Sequence, residues 1–437
     1  MFNWFKTRFL DKYSSATKLV QTNTADDLMR KGFDLHENGK DAEASVIFKK
    51  ILNINPFHAD ALYLLGMTAN KHGDSARAIE LIKKAIASRD EEAFFHLSLG
   101  DIYLSQQNYA DASSSYECAL RIEPENVVTL LSLGEAYENA RRFEAAEIAF
   151  TKALAHDPNN FQALTKRGEV YLDTGQVDQG MADIRRAHEL MPEEHTIYSS
   201  YLFASNSSTQ LSALENFNIH KRFDELYGLG KFGKPGRQIE NVDSARKLRV
   251  GYVSPDFRLH AVSRFFEPLL THHDKSKFEI FCYHLHQVKD EMSFRIKSKA
   301  DDWIECSKMS DEELFKKIVE DKIDILIDLA GHTSNSRLLV LARKPAPIQM
   351  TWLGYLNTTG LTAMDYRVVD AYSDPYDVSD QYHTEKLLRL PHSQWCYSKL
   401  GQSIDVSPLP MIDSGFVSFG SFNRFSKLSL KILTLWD

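Results

Sequence analysis

Hydrophobic positions along the 437 residues follow two different rules, and the change falls near residue 245. Before it, small and apolar positions return at a fixed interval. Gly32, Gly66, Gly100, Gly134 and Gly168 stand 34 residues apart. Ala44, Ala78, Ala112 and Ala146 follow twelve residues after the first four glycines, and then come Phe48, Ile82, Tyr116, Phe150 and Ile184. Pro56, Pro124, Pro158 and Pro192 close their repeats, with Asp90 in the second. Small residues at the glycine and alanine positions let two antiparallel helices approach closely, while the larger position fills the space between them. Proline cannot continue the second helix and so ends it.

The 34-residue interval is that of tetratricopeptide repeats. Five repeats over 25–194 predict an α-solenoid whose concave face suits an extended peptide. Residues 195–245 predict two helices, HTIYSSYLFAS and LSALENFNIHKRFDELYG, capping the solenoid, followed by a Gly/Pro-containing linker. Beyond the linker, short apolar runs alternate with helical ones. The predicted strands are 248–253, 278–285, 303–306, 323–329, 346–354, 364–370, 386–390 and 416–422. Helices are predicted near 262–272, 292–300 and 311–320, the last behind a capping box of Ser310 and Glu313. This succession is βαβ with a parallel sheet. The expected fold class is therefore a tetratricopeptide α-solenoid followed by a Rossmann-like α/β lobe, with the lobe over 246–415 and a further segment over 416–437.

Composition narrows the function. A formal charge of -8 argues against nucleic-acid binding, which needs basic surface to neutralise phosphates. Cys118, Cys282, Cys306 and Cys396 lie far apart with no C-x-x-C pair, which fits neither a zinc knuckle nor a disulfide framework and suits a reducing, cytoplasmic setting. No run reaches the length of a transmembrane helix. The opening MFNWFKTRFL, within a helix expected over 1–24, lacks the apolar core of a signal peptide and is read as docking on the repeats rather than lying on a membrane.

Candidate chemistry gathers at the ends of the predicted strands. The first strand hands off to SPDFRLHAVSRFF, the run 323–331 to HTSNSR, and 346–354 to YLNTTG. In open α/β sheets the ligand crevice lies outside the carboxyl ends of the strands. His260, His332, Thr333 and the Asn357-Thr358-Thr359-Gly360 turn all occupy such positions.

LRVGYVSPDFRLHAVSRFFEPLL, DILIDLAGHTSNSRL, RKPAPIQMTWLGYLNTTGLTAMDYRVVD and FVSFGSFNRFSKLS, in this order after the repeats, resemble the protein O-linked N-acetylglucosamine (O-GlcNAc) transferase family, especially its bacterial and SPINDLY-like members. The resemblance implies an inverting GT-B glycosyltransferase of two Rossmann-like lobes, moving GlcNAc from UDP-GlcNAc to serine or threonine of proteins. It implies no cofactor and no metal, and residues 245–437 indeed contain no D-x-D. Such chemistry needs an acceptor for the hydroxyl proton and a positive or hydrogen-bonding setting for the departing diphosphate. By resemblance, His260 in D-F-x-x-H is the proton acceptor and Lys427 in F-N-x-x-x-K contacts the donor diphosphate. Thr333, Leu353 and Gly354 line the sugar-nucleotide side, with His332 beside them. The expected partners are a nucleotide sugar and protein or peptide acceptors on the concave face, with no nucleic acid and no membrane.

Three departures from the family pattern stand out. Leu356 replaces a usual proline, which is expected to loosen the turn before Asn357. Arg30, Leu64, Ser98, Ser132 and Lys166 stand at one equivalent helical position, in place of the asparagine row of long family members. The chain reads as stopping within the start of the second lobe, so the isolated 437 residues are expected to be inactive. Two alternatives follow: a repeat adaptor with a vestigial transferase half, or an O-fucosyltransferase using GDP-fucose.

Overall fold

The computed structural model describes residues 25–232, 246–398, 406–422, 427–428 and 430–436; the N-terminal helix expected over 1–24 lies outside them. The chain separates into two compact units, Met1–Thr174 and Gly175–Asp437.

The first unit is built from antiparallel helical pairs: Ala25–Glu37 (α1) with Asp41–Ile54 (α2), Ala59–Lys71 (α3) with Ser75–Ser88 (α4), Ala93–Ser105 (α5) with Tyr109–Ile122 (α6), and Val127–Asn139 (α7) with Phe143–His156 (α8). Phe161–Asp173 (α9) follows. The 34-residue pattern has a direct steric cause. A Cβ at Gly32 would meet the Phe48 ring at 2.6 Å and one at Gly100 the Tyr116 ring at 2.5 Å, while Gly134 is pressed by Phe150 in the same way. Each aromatic therefore sits against the backbone of the preceding helix, a seat only glycine leaves open. Phe48, Ile82, Tyr116 and Phe150 are all fully buried, as are Ala44, Ala78, Ala112 and Ala146. Asn126 and Asn160, one interval apart, cap their helices by accepting the Thr129 and Ala163 N–H groups at 3.0 Å.

The second unit opens with Val177–Leu190 (α10), His195–Ser205 (α11) and Ala213–Tyr227 (α12). Seven strands follow: Leu248–Ser254 (β1), Phe278–His284 (β2), Asp302–Glu305 (β3), Ile325–Asp328 (β4), Ile348–Thr351 (β5), Tyr366–Asp370 (β6) and Lys386–Leu390 (β7). Helices Ala261–Thr271 (α13), Glu291–Lys297 (α14), Asp311–Glu320 (α15) and Leu338–Ala342 (α16) link the first five. All pairings are parallel, in the order β3-β2-β1-β4-β5-β6-β7.

Alternation along the central strands explains why both faces are covered. Val250, Tyr252, Ile280 and Cys282 point into one core with Phe257, Phe266 and Met292. Val253, Phe281, Tyr283 and Leu326 point into the other, with Leu314, Ile318 and Leu341. Tyr198, Leu202, Phe223 and Tyr227 of α11 and α12 belong to this second core. The two helices read as solenoid caps are thus also a layer of the α/β unit, fixed by their aromatic residues. Ser310 and Glu313 form the expected capping box, with Glu313 Oε2 accepting the Ser310 N–H at 2.7 Å.

Three strand expectations are corrected, the first being 346–354, which narrows to β5 because the chain turns at Leu353. The run 323–329 narrows to β4, although Asp324 before it still donates its N–H to the Arg249 carbonyl at 2.9 Å while its carboxylate accepts the Arg249 N–H at 2.9 Å and pairs with Arg246 at 2.7 Å. Residues 416–422 form no strand: they pair with no other strand, and Phe419 is 93% exposed. An apolar run without a neighbouring ladder cannot satisfy its backbone groups as a strand.

Between β1 and β4 the strand order reverses direction. The chain runs outward from β1 through β2 to β3 on one side and from β4 to β7 on the other. The carboxyl ends of β1 and β4 therefore flank the switch point, where open α/β sheets hold ligands.

Candidate functional site

The loop after β1 is held from several sides. Ser254 Oγ accepts the Asp256 N–H at 3.0 Å, Ser263 Oγ donates to the Asp256 carbonyl, and Asp290 Oδ2 accepts the Leu259 N–H at 2.6 Å. Phe257, fully buried between Phe266 and Trp303, pins the loop to the core. The loop ends at His260, the N-cap of α13, whose extended backbone places the ring at the helix start. Its Nδ1 accepts the Val262 N–H at 3.3 Å and lies 3.5 Å from Asp256 Oδ2, and the side chain is 39% exposed. Burial pushes the Asp256 carboxyl up from its ordinary value, against the lowering effect of His260, Arg258 and His286.

Next door, the ends of β4 and β5 are pressed together. The buried Asp328 carboxylate accepts the N–H groups of Ala330 at 3.0 Å and Gly331 at 2.8 Å and the Thr351 hydroxyl at 3.0 Å. Burial still raises its pKa, with those bonds opposing the rise. Leu353 has a φ of +77° and sits in a tight three-residue γ-turn closed by the Gly354 N–H on the Trp352 carbonyl at 3.0 Å. A side chain at Gly354 would run into the Leu329 carbonyl. Positive φ at a non-glycine residue persists only where the surroundings over-determine it, and such residues cluster at ligand sites. Thr333 donates its hydroxyl to the Ala330 carbonyl at 2.9 Å, closing the loop after β4; it is not the cap of the following helix, which begins behind Arg337.

The NTTG turn is clamped by buried charge. Glu385 accepts the Thr359 N–H at 2.7 Å and the hydroxyls of Thr358 and Thr359. The buried Arg367 donates to the carbonyls of Tyr355 at 2.8 Å and Asn357 at 2.5 Å. Leu356 between them is exposed, but both its neighbours are held, so the loosening expected from the missing proline does not occur. Asn357 Nδ2 reaches Asn206 Oδ1 at 2.7 Å and Asn216 Oδ1 at 3.2 Å, fastening the turn to α12 and the end of α11.

His332 points the same way. Its Nε2 donates to the Thr359 carbonyl at 2.8 Å and its Nδ1 accepts from the Ser199 hydroxyl at 3.0 Å. Phe223 and Tyr355 pack on the ring edge-to-face. Beside it, His220 Nδ1 donates to the Asn216 carbonyl at 2.7 Å while Nε2 accepts the Tyr355 hydroxyl at 2.5 Å. Burial, helped by each other's proximity for His332, drives these imidazoles down to about 3 for His332 and about 4 for His220. Both are neutral, and His332 keeps no ring nitrogen for a donor.

The structure thus sets His260, Thr333, Leu353 and Gly354 on one rim of adjacent strand ends, with His332 beneath that rim. Lys427 is exposed, beyond a stretch, 406–422, that is exposed throughout. Sequence reading missed Asp256, although its i,i+4 spacing to His260 was a usable signal. It also missed the buried trio Asp328, Arg367 and Glu385, of which Asp328 stood out as an acid ending an apolar run. His220 carried no local signal, since its side-chain partner Tyr355 lies 135 residues away.

Residues 233–399 match the family model described as glycosyl transferase family 41, and segments within 48–182 match tetratricopeptide repeat models. The probable UDP-N-acetylglucosamine–peptide N-acetylglucosaminyltransferase SPINDLY of Arabidopsis thaliana is 41% identical over 198 residues, which is 44% of this chain and 22% of that protein. Its counterpart from Hordeum vulgare is 37% identical over 260 residues, 57% of this chain and 26% of that protein. Among solved structures, a mutant of Thermobaculum terrenum O-GlcNAc transferase superposes with a TM-score of 0.71 at 30% identity, covering 79% of this chain and 65% of that one. Residues 233–399 thus carry a glycosyl transferase family 41 domain, and the chain is similar to O-GlcNAc transferases. It spans about a quarter of the length of the plant relatives it matches. The family match covers the whole rim built above, including the β1 loop with His260 and the β4 and β5 turns. Among the described residues, no helix is long and apolar enough to cross a membrane, and no three-ligand metal cluster occurs.

Proposed function

We propose that this protein transfers N-acetylglucosamine from UDP-GlcNAc to serine or threonine hydroxyls of other proteins, in the cytoplasm. The observation that carries the reading is the family 41 match over a rim that presents His260, half-exposed, at the switch point between β1 and β4. The acceptor hydroxyl oxygen forms a bond to the anomeric carbon from the face opposite the diphosphate. The bond from that carbon to the diphosphate oxygen breaks, UDP leaves, and the hydroxyl proton passes to His260 Nε2. Such proton transfer contributes on the order of 10²- to 10⁴-fold in rate.

Leu353, Gly354 and Thr333 form the wall for the sugar nucleotide, since the γ-turn and the loop after β4 fix their backbone at the strand ends. His332 supports that wall from beneath, through Thr359, instead of touching the donor. Lys427 supplies an ammonium for the diphosphate, a role a compact point charge can serve. No metal is needed when hydrogen bonds and a cation meet the leaving group. The repeats select the protein acceptors. Their helices carry Lys166 and Ser132 where longer relatives carry asparagine, so recognition rests on other side chains.

The test is incorporation of labelled GlcNAc from UDP-GlcNAc into a protein lysate by the full-length gene product, with GDP-fucose in parallel. Transfer of GlcNAc that His260→Ala lowers about a hundredfold or more supports the reading. Transfer of fucose alone overturns the sugar, and protein capture without transfer of either overturns the enzyme.

A further inference from the structure

Deepening the proposed function, and resting on it for its kinetic half, is a question the rim leaves open: which nitrogen of His260 carries the proton. The ring has one nitrogen, Nδ1, turned toward the protein, and two groups compete for it. The Val262 N–H at 3.3 Å needs a lone pair on Nδ1, which puts the proton on Nε2. Asp256 Oδ2 at 3.5 Å needs a proton on Nδ1, which leaves the lone pair on Nε2. Only the second arrangement gives the exposed side of the ring a base. The first is inert toward a hydroxyl.

We propose that Asp256 is the positioning residue of the reaction, taking the Nδ1 proton of His260 so that Nε2 is free to accept from the acceptor hydroxyl. Three observations support this. A carboxylate is a charge-assisted acceptor, roughly twice as strong as the neutral capping bond it displaces. The Asp256 backbone is fixed by Ser254 and Ser263, so the carboxylate is held beside the ring and the 3.5 Å separation needs only a small rotation of a half-exposed side chain to close. Hydrogen bonds of this kind are often long before substrate arrives.

The third observation concerns charge. When the ring takes a second proton it becomes an imidazolium at the start of an eleven-residue helix, where the macrodipole disfavours a cation. Asp256 supplies the compensating charge. The other charged or titratable groups facing Asp256 are Arg258, with Nη2 3.6 Å from Oδ1, and His286. Both favour the ionised carboxylate, against the burial that raises its pKa.

The experiment is the imidazole ¹⁵N spectrum of the 437-residue chain labelled at histidine, at mildly alkaline pH, with His260 assigned by its loss in His260→Gln. The expected result is an Nδ1–H ring in the wild type and a shift toward Nε2–H of about tenfold or more in Asp256→Asn, whose amide donates to Nδ1. The same ratio in both chains overturns the proposal. Kinetics on the full-length product give a second readout. Asp256→Asn lowers kcat on the order of a hundredfold, leaves the KM for UDP-GlcNAc nearly unchanged, and is largely rescued by Asp256→Glu. If His260→Ala abolishes transfer while Asp256→Asn leaves kcat intact, the dyad is wrong and the transferase stands. If the wild type transfers nothing, the transferase reading falls and the nitrogen spectrum alone decides the dyad.

Discussion

Gly354 shows how a single residue ties the rim together. The position beside Leu353 tolerates no side chain, because a Cβ there would overlap the Leu329 carbonyl of the neighbouring loop. Gly354→Ala is therefore expected to destabilise the second unit by roughly 1–3 kcal/mol, the range of local backbone strain, read as a lower urea midpoint at unchanged slope. From sequence, this glycine was as easily a free turn residue as a wall of the site; only the strand pairing of β4 with β5 brings the Leu329 carbonyl against it. The residues legible in sequence were those whose meaning is local: the strand-end position of His260 and the capping box at Ser310. The illegible ones, His220 and Glu385, act through partners brought in by the fold. Buried histidines also set a pH response. His220 and His332 are neutral when folded, with pKa values near 4 and 3, whereas an unfolded chain protonates histidine near 6.5. Their contribution is present above about pH 6.5 and is lost as pH falls toward 4, at up to about 1.4 kcal/mol per pH unit for each histidine. The urea midpoint of the second unit is expected to drop between pH 7 and pH 5, and a flat midpoint contradicts the assignment of these rings as buried and neutral.

At the scale of elements, α11 and α12 change meaning most between sequence and structure. Their boundaries were readable from periodicity, and His195–Ser205 matches the expected span. What was not readable is that they cover one face of the sheet, because an amphipathic stripe names the face that is buried and not its partner. The link is Tyr355, whose hydroxyl donates to His220 Nε2 and accepts from Asn206 Nδ2 at 2.8 Å. Tyr355→Phe leaves the buried His220 Nε2 without its partner and is expected to cost about 1–3 kcal/mol, with a matching loss of amide-exchange protection in α12 and the NTTG turn. Protection lost in the turn alone would show that the helices do not brace it. The expected strand at 416–422 failed for the complementary reason: an alternating apolar run specifies a strand only when a neighbour offers a ladder.

For the molecule as a whole, the change of hydrophobic period near residue 245 and the division into compact units fall at different places: the second unit begins at Gly175 and takes in α10, the second helix of the fifth repeat. The first draws its stability from aromatic rings seated on glycine backbone, and it holds Asp101, whose carboxyl burial pushes up to about 6 even though Tyr116 donates to it at 2.8 Å. A raised carboxyl pKa favours the folded state below the unfolded value and loses that contribution as pH rises through 6. Acidification from pH 7 to pH 5 thus favours the first unit through Asp101 and disfavours the second through its histidines, so thermal unfolding at pH 5 is expected to show the second unit melting earlier relative to the first than at pH 7. The central claim is that the rim at the switch point holds a sugar nucleotide beside His260. Its most direct measurement is the rate of GlcNAc transfer from UDP-GlcNAc by the full-length protein and by its His260→Ala form. The account predicts transfer by the first, and a loss of about a hundredfold or more in the second with donor binding retained; equal rates in the two, or no transfer by either, contradict it.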